Sequence, residues 1–203
     1  MTYYDLAQYL CPAYGLPFLL SSSETMQSVL CPDGWIEFRK NKHMEEFYVT
    51  DEVVGRGADT SMISSDGVNP VGTFYVQMTG NVYGAPWAAR FMAVGEAYHR
   101  DCRVVIYNYD GSILNDYQEA SDLHLIDHID QITFPGGAVA NDSLLLGWGG
   151  QEGYIYTRGM GLTGWKNLTD GSFGNYLIAV GVPPPPHPFP HTPVSRPPIT
   201  YHE

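Results

Sequence analysis

The sequence predicts an all-β protein, a jelly-roll-like β-sandwich with an extended proline-rich arm at its C-terminal end. Apolar and polar residues alternate with period two through many short segments, and Gly, Asn and Asp punctuate them at regular spacing. Helix-period patterns are scarce. Nine of the fifteen prolines fall within the last twenty-one residues, where an ordered sheet cannot continue.

Taken in order, residues 1–34 read as an irregular segment with short helical pieces. One turn is expected over 5–10 and two over 23–30, the second capped by Ser22 or Ser23. The body, 35–182, then reads as strands. Trp35-Ile36-Glu37-Phe38-Arg39 alternates cleanly, and residues 46–50 and 72–78 are rich in strand formers. Residues 90–98 and 103–109 are expected to face each other across a polar turn. Asp110-Gly111 is a hairpin signal leading into 112–117. Further strands are expected at 130–134, 143–148, 153–157 and 176–180. Nine or ten strands so punctuated point to a sandwich or barrel. Residues 91–95 and 177–181 echo each other, but two copies make no repeat architecture.

After Val182 the chain changes character. Pro183 to Pro186, Pro188, Pro190, Pro193, Pro197 and Pro198 dictate an extended spacer of about 3 Å per residue. Residues 183–203 read as an arm laid across a neighbouring subunit, anchored by Phe189, Ile199 and Tyr201. A solvated tail is the plainer alternative.

Composition narrows the function. Ten Lys+Arg against twenty-two Asp+Glu leave a net charge of −12, which repels nucleic acid. Hydrophobic content of 44% is enough to fill a core and rules out wholesale disorder. No apolar run reaches the roughly 18 residues of a membrane span, and no signal peptide is recognisable, which predicts synthesis in a reducing cytosol. Cys11, Cys31 and Cys102 form no metal motif. Cys11 and Cys31 either pair or lie as buried free thiols, the reading that compartment favours.

Between Arg103 and Arg158 there is no base, while eight acids fall inside. The densest part is 122–130. As a strand it places Asp122, His124, His128 and Asp130 on one face; as a helix it sets His124 and His128 one turn apart beside Asp127. Either arrangement offers ligands to a divalent cation, and a metal-dependent hydrolase is the reading that follows. The plainer reading is a solvated strand face. No nucleophile elbow or phosphate loop is present, and carboxylate pairs such as Glu45-Glu46 and Asp51-Glu52 are what any chain with twenty-two acids offers, so no enzyme and no cofactor is expected.

Residues 146–176 interleave aromatics with Gly and short polar residues. Trp148, Tyr154, Tyr156 and Trp165 fit three roles: core filling, a subunit interface, or a platform that stacks sugar rings. Gly164-Trp165-Lys166-Asn167-Leu168-Thr169-Asp170-Gly171 resembles segments of tailed-bacteriophage structural proteins. The acidic, Tyr- and Gly-rich body and the proline-rich arm are similar to their head-decoration, tail and fibre proteins. The resemblance implies a non-enzymatic virion protein, a homo-oligomer (a trimer favoured) that contacts other virion proteins, without nucleic acid or membrane. The alternative is a carbohydrate-binding module, which adds a glycan partner and an optional receptor-binding role.

Overall fold

The computed structural model describes residues 1–61, 73–79, 82–107, 112–188, 196 and 199. The first elements are β1 (Tyr3–Asp5), α1 (Ala7–Leu10), β2 (Phe18–Leu20), β3 (Thr25–Leu30), β4 (Ile36–Arg39), β5 (His43–Val49) and β6 (Val53–Ser61). Next come β7 (Thr73–Thr79), β8 (Val82–Tyr83), β9 (Ala85–Ala89), β10 (Phe91–Ala93), β11 (Ala97–Tyr107) and β12 (Ile113–Thr133). The last four are β13 (Val139–Gly147), β14 (Glu152–Thr157), β15 (Gly161–Asn167) and β16 (Phe173–Val180). The protein is all-β.

β1 and β10 pair separately. The other strands form one antiparallel sheet in the order β8-β7-β11-β12-β13-β14-β15-β16-β2-β3-β4-β5-β6-β9. β6 also pairs with β7, from Ala58 opposite Val76 to Ser61 opposite Thr73, and this draws the sheet into a nearly closed barrel. Sequence neighbours are sheet neighbours almost throughout, so the chain meanders. A jelly roll needs Greek-key connections, and the described pairings do not trace the expected sandwich. The turns explain why. Leu20 N–H bonds Glu24 O at 3.0 Å and Phe134 N–H bonds Ala138 O at 2.8 Å, so each strand returns at once beside the one before it.

Three further expectations change. Residues 25–30 form β3, not a helix, because Met26 and Ser28 alternate inward with period two. Ser23, at φ 68°, turns the chain back from β2 just before it. The segment 1–34 therefore enters the sheet through β2 and β3, and only α1 keeps the expected helical turn. The strand expected over 90–98 is broken, since Gly95 (φ +93°) turns the chain between β10 and β11. Residues 97–107 then form a single strand. Cys11 and Cys102 are buried thiols, while Cys31 is only half-buried, and all three are free.

The core lies between the two halves of the ring. Ile36, Phe38, Phe47 and Val54 on one side meet Leu123, Leu125, Leu144, Leu146 and Tyr156 on the other. Leu6, Leu10 and Cys11 of the α1 region join them. The base-free stretch finds its counter-charges on neighbouring elements. Arg103 Nη2 reaches Asp116 at 2.6 Å, His99 Nδ1 reaches Asp122 at 2.6 Å, and Arg100 pairs with Glu119.

Candidate binding site

Seven strands from both halves of the ring, with the turn after β13, wall a cavity of about 410 Å³. β5 and β6 contribute Glu45 and Arg56, β9 contributes Trp87, and β11 contributes Arg100. Glu119 and Ser121 come from β12, Tyr154 and Tyr156 from β14, Leu162 from β15, and Trp148 from the turn. Alternation places them. On β11 Arg100 and Cys102 are buried while His99, Asp101 and Arg103 are exposed, so a guanidinium occupies an otherwise apolar inward face. Ser121 is its cross-strand partner and Glu119 lies one step along the same face.

The aromatic rings form a continuous patch. Trp87 lies 5.7 Å from Trp148, 5.7 Å from Phe47 and 6.3 Å from Tyr156, and Trp148 meets Tyr154 edge-on at 5.0 Å. The charges beside them are paired. Arg56 Nη2 donates to Asp59 at 2.6 Å and to Glu45, and Lys40 Nζ lies 3.3 Å from Glu45. Arg100 Nε donates to Ser121 at 2.7 Å, and its Nη2 to Glu119. Burial pushes the Glu45 carboxyl up, but Lys40 and Arg56 outweigh it and hold it below the usual carboxylate range. Burial pushes the Tyr154 hydroxyl up to about 12, with Glu152 adding to the effect.

Three donors at this cavity stand out. The indole N–H of Trp87, the indole N–H of Trp148 and Arg100 Nη1 are all buried and have no hydrogen-bond partner among the described residues. Trp87 is 3% exposed and Arg100 is 7%. Each buried donor left unmade costs about 1–3 kcal/mol. All three belong to residues that line the cavity, which is thus short of acceptors for them.

Trp148, Tyr154 and Tyr156 are thus brought together as one surface. Trp165 is not part of it and instead covers Gly174, where any Cβ would overlap its ring. Trp87, Arg100, Arg56, Glu45 and Glu119 were missed by sequence reasoning. Arg100 carried a usable signal, a charge at the inward phase of an alternating strand.

The 122–130 set is dispersed. A bulge between Leu125 and Asp127 breaks the period-two phase, so Asp122 and His124 no longer share a face with His128 and Asp130 by simple alternation. Asp122 pairs with His99, while Asp130, its side chain 98% exposed, stays 3.5 Å from His128 Nδ1, so only these two of the set remain together. His128 stacks on Tyr4 at 4.6 Å, and its Nε2 lies 3.0 Å from Asp142. Asp142, at φ 55°, also accepts from Tyr9 at 2.7 Å and Arg158 at 3.1 Å. Burial pushes its carboxyl up, but these donors hold it below its usual range. Among the described residues, His43, Glu45 and Asp59 are the set whose ligand atoms converge as a metal site requires. Arg56 already pairs with both of its acids, and Lys40 adds a second cation at Glu45.

Of the expected arm anchors, Phe189 and Tyr201 lie outside the described residues. Ile199 is half-buried, and its N–H donates to Asp33 O at 2.7 Å. The described part of the arm lies on its own body.

Compared with protein-family models, with curated proteins and with solved structures, the chain matches none.

Proposed function

We propose that this protein is a non-enzymatic binding protein that holds a neutral saccharide in the cavity walled by Trp87, Trp148, Tyr154, Tyr156 and Arg100. The observation that carries this reading is the set of three buried, unpartnered donors beside aromatic faces. A sugar ring offers what they lack: hydroxyl oxygens to accept from the donors, and apolar C–H faces to stack on Trp and Tyr. Ser121 and Glu119 also line the cavity, and their oxygens are of the kind that accept hydrogen bonds from sugar hydroxyls. Because each arginine already has a carboxylate, an added anion would meet no free positive charge. A volume of about 410 Å³ falls within the usual size of small-ligand pockets.

Binding fits better than glycoside hydrolysis. A general acid needs a carboxyl raised towards neutrality, whereas Glu45 is held below its range by Lys40 and Arg56. Calorimetry with a panel of neutral mono- and oligosaccharides tests the reading. At least one should bind, and Trp148→Ala should weaken it about two- to tenfold, since an aromatic stacking contact contributes about 0.5–1.5 kcal/mol beyond its area. Absence of binding across the panel by a folded protein contradicts it.

A second reading, a structural component of a tailed-phage particle, is supported by the outer half of β12. Ile113, Leu114 and Tyr117 are 59%, 60% and 37% exposed, with successive residues on opposite faces of the strand. Apolar groups exposed together mark contact surfaces. A trimer by light scattering agrees with this reading, and a strict monomer contradicts it.

A further inference from the structure

On the face of β4 and β5 opposite the core, Glu37 and Glu46 are direct cross-strand partners. Their side chains are 4% and 0% exposed. Two like charges facing each other in a buried pair are unfavourable unless a cation lies between them. Arg39 Nε reaches Glu37 at 2.8 Å, and Glu46 accepts from the Tyr83 hydroxyl and from Ala58 N–H at 3.3 Å. The remaining charge is met from the arm. Arg196 Nε donates to Asp33 at 2.7 Å, its Nη2 lies 3.0 Å from Glu37, and its Nη1 donates to Glu46. Its guanidinium carbon stands 6.0 Å from the centre of the Trp35 ring, and its side chain is 7% exposed.

We propose that Asp33, Trp35, Glu37 and Glu46 form a binding socket for an arginine guanidinium, and that Arg196 of the chain's own arm is its resident ligand. Chemistry and shape both select this group. Three carboxylates at different angles suit a planar fork of five donors, and an indole face suits a flat, weakly hydrated cation. An ammonium is a point charge that cannot reach all three acids in one plane. His187 Nε2, 3.3 Å from Glu37, brings the start of the arm to the same patch. The arm is thereby a latch with one keyed residue, and the socket is a site that arginine-bearing chain can enter.

Chemical rescue in the full-length chain tests this. Arg196→Ala should lower the thermal midpoint by several degrees. Millimolar L-arginine or methylguanidinium should restore part of that loss, L-lysine should not, and the wild-type protein should respond to neither. Equal rescue by lysine, an equal shift of the wild type, or an unchanged midpoint in Arg196→Ala overturns the proposal. If that variant does not fold, Arg196→Lys decides. The socket predicts a lowered midpoint despite the retained charge, and a wild-type midpoint overturns it.

Discussion

Arg100 and Arg103 stand three residues apart on β11 and do different work. Arg103 is solvated and pairs with Asp116 across the strand at 2.6 Å. Such exposed pairs add little, and Arg103→Ala should leave the thermal midpoint within error of the wild type. Arg100 is buried against Glu119 and Ser121. Removing it leaves the half-buried Glu119 carboxylate without this partner, and Arg100→Ala should cost about 1–3 kcal/mol in denaturant unfolding. Glycine makes a similar contrast. Gly174 lies under the Trp165 ring, so Gly174→Ala forces that ring aside and should cost about 1–3 kcal/mol. Gly150 faces open space, and its alanine variant is the control for the same measurement.

At the scale of elements, strands were legible where alternation was clean. β4, β5 and β14 follow their apolar phase, and Asp110-Gly111 correctly announced that β11 returns as β12, although the turn itself lies outside the described residues. β6 and β15 were illegible because Gly55, Gly57, Gly161 and Gly164 lower strand propensity. Those glycines are present for packing. A Cβ at Gly57 would come within 2.7 Å of the Trp35 ring. Residues 23–30 misled because Ser22 and Ser23 look like a helix cap, while the turn at Ser23 hands the chain to a strand. In the candidate site, the β14 tyrosines and Trp148 were found from composition. Trp87 and Arg100 were not, because they reach the cavity only through the curvature that sets β9 and β11 opposite β14.

At the scale of the whole molecule, a chain of net charge −12 keeps its buried acids matched to cations. Asp33, Glu37, Glu45, Asp59 and Asp142 are each pushed up by burial, but their basic partners prevail and hold them below their usual ranges. A depressed folded-state value contributes stability above the unfolded value, about 3.9–4.3, and loses it as pH falls through the folded value. Glu46 runs the other way. Burial raises it above its usual range, so its charged form detracts from stability as pH rises through its folded value. Five groups outweigh one. The thermal midpoint should hold between about pH 5 and 7 and fall steeply below about pH 4. A midpoint that rises on acidification contradicts this balance.

The central claim, that the cavity is short of acceptors and takes them from a sugar, is tested most directly by NMR of the four tryptophan indole N–H groups during saccharide titration. The account predicts that the Trp87 and Trp148 resonances shift downfield together and saturate, while those of Trp35 and Trp165 stay in place. A saccharide that binds yet leaves Trp87 and Trp148 unmoved, or shifts all four alike, contradicts it.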